Sequence, residues 1–140
     1  MSGLFCVCQP MKFAIVVHGA PYSSEACLSA LMFAKAVLAS GHSINRVFFY
    51  HDGVYTANSL IAPPQDETAV SEQWQEFGIS HHIELIACIA SCLRRGILDE
   101  TEADRYGKSG SNLAPGFTIS GLGQLIDASI NADRVVTFGV

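Results

Sequence analysis

The stretch that decides the fold is Ile83-Glu84-Leu85-Ile86-Ala87-Cys88-Ile89-Ala90-Ser91-Cys92-Leu93-Arg94-Arg95-Gly96. Its first five residues form a short apolar run typical of a buried strand, and the remainder has the pattern of a helix that ends at Gly96. Cys88 therefore stands at the carboxyl end of a strand and the amino end of a helix, where open α/β sheets bind their ligands. Unpaired N–H groups and the helix dipole at such a position favour the thiolate, which is the nucleophilic form of cysteine.

The rest of the chain alternates strands with helices. The pattern predicts strands at residues 12–18, 44–50, 83–87 and 134–138, and helices at residues 25–40, 54–60, 66–77, 88–96, 99–105 and 120–131. This alternation predicts an α/β fold, a single-domain three-layer sandwich with a mostly parallel central sheet flanked by helices. Residues 107–116 form a polar loop that is long for such a domain, and we expect the segment from Ser109 to Ser120 to fold over Cys88 or to contact a partner.

Composition limits the function classes. The 140 residues are 49% hydrophobic and only 15% charged, against a usual charged share of about 25%. A chain so poor in charge is expected to cover part of its surface with a partner, although continuous apolar strands in a small core would explain the same composition. The net charge of −5 argues against direct nucleic-acid binding. No apolar run approaches the roughly 20 residues of a membrane span.

Residues 1–10 are predicted to be an N-terminal extension, and residues 11–140 the domain, with Met11 as a natural start. The extension lacks the pattern of an export signal. We therefore expect a cytoplasmic protein whose five cysteines are thiols. No second ligand pair accompanies Cys6-x-Cys8, so no metal site is predicted there.

Several segments together carry a family resemblance: Met11 to Val17, Val47 to Val54, Cys88 to Ala90 with Leu93 to Ile97, Asp99 to Ala103, and Ile119 to Leu125. In their order and spacing they resemble the DsrE/TusD family of intracellular sulfur-relay proteins, over residues 11–139. The resemblance implies an α/β subunit that accepts a persulfide sulfur on one cysteine and passes it on. The family's sulfur-carrying cysteine matches Cys88.

The resemblance also implies partners. A TusD-like subunit would assemble with TusB-like and TusC-like subunits into a heterohexamer, receive sulfur from a TusA-like donor, and pass it to a TusE-like (or DsrC-like) acceptor. The expected destination is 2-thiouridine at tRNA wobble positions. The alternatives are a DsrE-like sulfur-oxidation relay, a non-catalytic scaffold subunit, and a free-standing thiol enzyme with a small-molecule acceptor. Because sulfur transfer is thiol–disulfide-type exchange, no metal, nucleotide or redox cofactor is expected.

Further candidate residues surround Cys88 in the predicted topology. Cys92 lies one helical turn later and is either a second thiol or a core residue. Arg94 and Arg95 either stabilise a persulfide anion or dock an acidic partner, or else they complement the helix end and pair with nearby carboxylates. Strand ends are expected to bring pocket residues to the same edge of the sheet, namely His18, Tyr22, His51 and Asp52.

Overall fold

A five-stranded parallel sheet forms the centre of the protein, and the computed structural model describes residues 9–139. The strand order is β4-β3-β2-β1-β5, with β1 at Lys12–Val17, β2 at Ser43–Phe49, β3 at Glu84–Cys88, β4 at Phe117–Ser120 and β5 at Arg134–Phe138. The α-helices are α1 at Ala26–Ala39, α2 at Val70–His81, α3 at Ile89–Arg94, α4 at Glu100–Arg105 and α5 at Gly123–Asn131, and a 3₁₀ helix spans His51–Ala57. The predicted α/β fold with its parallel sheet is confirmed.

The connections assign helices to both faces of the sheet. Three crossovers step from β1 to β4 in one direction, and the connection through α5 returns to the far side of β1. Right-handed crossovers therefore place α1, α2 and α3 on one face and α5 on the other. The ring of Phe33 on α1 packs 5.8 Å from that of Phe13. On the opposite face Arg46 reaches α5 and pairs with Asp127 at 3.2 Å.

The larger core lies between the sheet and α2. Trp74 is fully buried, its ring lies 5.2 Å from that of Phe49 in an edge-on contact, and Phe49 contacts Phe117 at 5.3 Å. The Trp74 indole Nε1 donates to the Cys27 carbonyl at 3.1 Å, so its polar group is paired within the core. These contacts fix α1, α2 and two strands relative to one another.

The strand β4 is missing from the sequence-based prediction, which gave four strands and began the last helix at residue 120. The structure shows that Phe117-Thr118-Ile119-Ser120 pairs in parallel with β3 and that α5 begins only at Gly123. This strand has four residues and lies at the sheet edge. Its short alternating pattern therefore resembles a loop end more than a strand.

Two further elements differ from the prediction at both ends. The helix α2 spans Val70–His81 rather than residues 66–77, and the helical piece expected at residues 54–60 is a 3₁₀ helix over His51–Ala57. Tyr22 explains the later start of α2, because its hydroxyl donates to the Thr68 carbonyl and accepts from the Val70 N–H, holding residues 68 and 69 outside the helix.

Residues 1–8 lie outside the described part of the chain, so the predicted extension and the Cys6-x-Cys8 pair keep the status of predictions. Within residues 9–139, none of the helices combines the length and the apolar composition needed to cross a membrane.

Candidate functional site

Cys88 is the last residue of β3 and the N-cap of α3, as the sequence predicts. Alternate strand residues point to opposite faces of a sheet. Leu85 packs towards Gly78 of α2, so Cys88 points to the face that carries α5. The register pairs Cys88 with Ser120 on one side. On the other side Phe49 pairs with Ala87, which makes Tyr50 the next neighbour of Cys88.

The Cys88 side chain is buried, with 1% of its surface exposed, and it makes no capping hydrogen bond to the first turn of α3. Thiol exchange requires in-line approach of a second sulfur atom to the reacting thiol. The described conformation therefore protects Cys88, and exchange with another protein requires the residues around this edge of the sheet to move.

Two polar contacts tie the 3₁₀ helix to α3 directly after Cys88. The hydroxyl of Ser91, itself buried, accepts from the backbone N–H of His51 at 3.1 Å. The Arg95 guanidinium pairs with Asp52 at 2.8 Å and donates to the Ser91 carbonyl at 3.1 Å. Arg95 therefore pairs across to the 3₁₀ helix, and not with the carboxylates at residues 99–102 that follow it in the sequence.

His18 and His51 come together at the ends of β1 and β2, as predicted. Their rings lie 5.1 Å apart, and the ring of Tyr50 lies 4.0 Å from that of His51. Burial, and secondarily the nearby His51, lowers the pKa of His18. At neutral pH His18 is accordingly an uncharged hydrogen-bonding group. His51 has a positive φ of 49°, a backbone conformation that is held here by its bond to Ser91.

Cys92 lies in the interior and not at the sheet edge. Burial raises the pKa of its thiol to about 12, with a smaller contribution from the neighbouring Cys88. Cys27 is likewise buried, its pKa is raised to about 11 by burial, and its Sγ lies 3.1 Å from the Thr56 hydroxyl. Both thiols are neutral at physiological pH and suit the packing role of a small apolar side chain.

Two candidates line grooves that do not include Cys88. Tyr22 packs against residues 68–70 and lines an open groove with Asp52 and Tyr55. Arg94 is exposed, makes no ion pair with residues 9–139, and lines a different groove with Leu93 and Tyr106. Within the same range, no set of three or more His, Cys, Asp or Glu side chains is grouped to hold a metal ion.

Three neighbours of Cys88 are absent from the sequence-based candidates: Tyr50, Ser91 and Ser120. Ser91 could have been found from its spacing, since it lies three residues after Cys88 and so on the adjoining helical face. Tyr50 and Ser120 depend on strand register, and Ser120 belongs to the strand that the pattern did not reveal.

Comparisons with known proteins place this geometry in a family. A family model described as the DsrE/DsrF-like family matches residues 11–138. A relative from Allochromatium vinosum, named "Putative sulfurtransferase DsrE", is 50% identical over 129 residues, which is 92% of this chain and 99% of the relative. The crystal structure of the ychN protein from E. coli covers 91% of this chain and 99% of its own, with a TM-score of 0.70 and 25% identity.

A second solved structure shows the same fold. It is the conserved protein of unknown function BT1422 from Bacteroides thetaiotaomicron, with a TM-score of 0.57 and 17% identity over 91% of this chain and 94% of its own. The family match spans nearly all of the domain, and the 50% identical relative is covered almost end to end. The chain belongs to the DsrE/DsrF-like family.

Proposed function

We propose that this chain is a sulfurtransferase subunit that carries sulfur as a persulfide on Cys88. The observation that carries the proposal is the position of Cys88 at the strand–helix junction on the carboxyl edge of the sheet, in a chain that is 50% identical to a relative named as a sulfurtransferase. Cys27 and Cys92 are weaker candidates for this role, because burial raises the pKa of both thiols and both lie inside helices rather than at the strand–helix junction.

The transfer consists of two exchange reactions. The Cys88 thiolate attacks the outer sulfur of a donor persulfide, the donor's S–S bond breaks, and the donor leaves as a thiol while Cys88 becomes a persulfide. An acceptor thiolate then attacks the outer sulfur on Cys88 and restores the Cys88 thiol. No net oxidation or reduction occurs, so the relay needs only access and a fraction of thiolate at each attacking cysteine.

The proposed donor is TusA-like and the proposed acceptor TusE-like, with the sulfur ending in tRNA 2-thiouridine. A second destination is a DsrE-like sulfur-oxidation relay with a DsrC-like acceptor, and a relative named as a sulfurtransferase DsrE is equally compatible with it. Adding each acceptor in turn to the sulfur-loaded chain distinguishes the two destinations. Only the matching acceptor should remove sulfur from Cys88 faster than the persulfide decays without any acceptor.

We also propose assembly with TusB-like and TusC-like subunits into a heterohexamer. The outer side of α5 supports this proposal, because Leu122, Ile126 and Ile130 recur every four residues and are 47%, 60% and 76% exposed. An apolar stripe of this kind on a helix usually marks a protein–protein contact.

Intact-mass spectrometry tests the carrier role. The chain is incubated with a cysteine desulfurase, cysteine and a TusA-like donor, in parallel with Cys88→Ser, Cys92→Ser and Cys27→Ser. The proposal expects a gain of one sulfur atom in all forms except Cys88→Ser. If the wild-type chain gains no sulfur from a competent donor with the other subunits present, the carrier role is contradicted and the scaffold-subunit role is the better explanation.

A further inference from the structure

An open groove lies between α3, α4 and the residues that follow α4. Its volume is about 570 Å³, and its apolar surface comes from Leu93, Leu98 and the half-exposed ring of Tyr106. Two cationic side chains, Arg94 and Lys108, also line it. We call it the α3–α4 groove.

The two cations of the α3–α4 groove have no carboxylate partner within residues 9–139. Arg46, Arg95 and Arg105 do pair with acidic side chains there, whereas Arg94 and Lys108 do not. In a chain of net charge −5, the groove is therefore a local site that attracts a negative group. Beyond Lys108, Glu100 and Asp104 line an adjacent depression, and they would repel a segment that carries many acidic residues.

The α3–α4 groove lies one short helix along the chain from Cys88. Helix α3 begins directly after Cys88 and ends at Arg94. Six helical residues rise about 9 Å. An extended peptide covers this distance in about three residues, at roughly 3.3 Å each.

We propose that the α3–α4 groove binds an extended segment of the sulfur-exchange partner that carries one carboxylate and one large apolar side chain about three residues from its reactive cysteine. The carboxylate lies between Arg94 and Lys108, and the apolar side chain covers Tyr106 and Leu93. The two cations and the apolar side chains of the groove favour such a segment over a small uncharged persulfide, because the small molecule would contact neither the cations nor the apolar side chains. This inference rests on the proposed role of Cys88.

The reaction that the groove assists balances without an oxidant. A partner cysteine persulfide and the Cys88 thiol exchange one sulfur atom. The bond from Cys88 Sγ to the outer sulfur forms, the partner's S–S bond breaks, and the proton of the Cys88 thiol ends on the released partner thiol. The groove contributes only position, so it should raise the rate of loading by partners that fill it.

Short peptide persulfides provide the test. The probes are N-acetyl-Glu-Leu-Gly-Cys-amide persulfide, its Gln counterpart, and the persulfide of 2-mercaptoethanol. Loading of Cys88 is followed by intact mass in the wild type, in Arg94→Gln/Lys108→Gln, and in the control Lys12→Gln/Lys35→Gln, which removes the same charge elsewhere. We expect the Glu peptide to load the wild type and the control about fivefold faster than the Gln peptide. A rate ratio of this size corresponds to the energy of a partly exposed charge pair.

The groove variant should lose this preference while loading from 2-mercaptoethanol persulfide at the wild-type rate. Equal rates for the Glu and Gln peptides in the wild type would overturn the groove proposal and leave the role of Cys88 intact. Absence of loading by all three probes and by a protein donor would overturn the role of Cys88 itself. If the groove variant altered self-association and not the peptide preference, the groove would bind a second copy of this chain, which also overturns the proposal.

Discussion

All three described cysteines are buried, and Cys88 differs from the other two by its position at the strand–helix junction. Cys27 and Cys92 have raised pKa values because their thiolates would be desolvated in the core. In a Cys6→Ser/Cys8→Ser background at about pH 8, iodoacetamide should therefore modify Cys88 first and slowly, and leave the other two untouched while the chain is native. Peptide mapping by mass spectrometry measures the order in which the cysteines are modified. Modification of Cys92 ahead of Cys88 would contradict the assignment.

The Cys27 and Cys92 thiols should make the free energy of unfolding depend on pH in the alkaline range. In the native chain the thiol pKa values are about 11 for Cys27 and about 12 for Cys92, both above the ordinary value. The unfolded chain therefore loses these protons first, and the free energy of unfolding should fall as pH rises from about 9 towards 12. Guanidinium unfolding at several pH values measures the slope. Cys92→Ala should flatten it more than Cys27→Ala, whereas Leu31→Ala should lower stability at every pH and keep the slope.

At the level of single residues, the sequence identifies Cys88 because its local pattern is complete: an apolar strand runs directly into a helix. It does not identify the neighbours of Cys88, because strand register sets them: Ser120 lies in β4 and Tyr50 directly follows β2. Likewise Arg95 has carboxylates nearby in the sequence, yet it pairs with Asp52, forty-three residues away. Contacts set by register and crossover are not visible in a local pattern.

The turn after β2 depends on a glycine. Gly53 is buried in the 3₁₀ helix, and a Cβ at this position would collide with the backbone carbonyl of Val17. Gly53→Ala should therefore destabilise the chain by about 3 kcal/mol, since backbone has to move. In the control Gly121→Ala the new Cβ meets nothing within 4 Å. Chemical denaturation of both variants checks the difference, and equal stabilities would show that the 3₁₀ helix adapts freely.

Element boundaries follow from the sequence where a local signal is strong. Gly41, with a φ of 85°, ends α1 where predicted, and Asp99 caps α4 by accepting from the Glu102 N–H at 2.8 Å. The start of α2 at Val70 follows from a contact with Tyr22, forty-eight residues earlier, and β4 forms because β3 offers an open edge. Tertiary contacts decide both, so local propensity alone misplaces them.

On the scale of the whole molecule, the two sheet faces differ in their cover. The face with α1 and α2 is closed by a large core, whereas among residues 9–139 the other face is covered by α5, which leaves an apolar stripe exposed. Ile126→Asp/Ile130→Asp should change the free energy of unfolding of the isolated chain by no more than about 0.5 kcal/mol, because both side chains are already exposed.

The same double variant should lose assembly with TusB-like and TusC-like subunits, which native mass spectrometry reads directly. Glu72→Gln/Glu76→Gln on α2 provides a control that changes exposed residues of another helix. Full assembly by the α5 variant would show that this stripe is not the contact.

The central claim is that Cys88 both accepts and passes on sulfur. The most direct test loads the chain with a single sulfur atom, removes the donor, adds a TusE-like or DsrC-like acceptor, and follows both masses in time. We expect this chain to lose one sulfur atom as the acceptor gains one, with no exchange in Cys88→Ser. Sulfur that stays on Cys88, or that leaves only as free sulfide with both acceptors present, would contradict it.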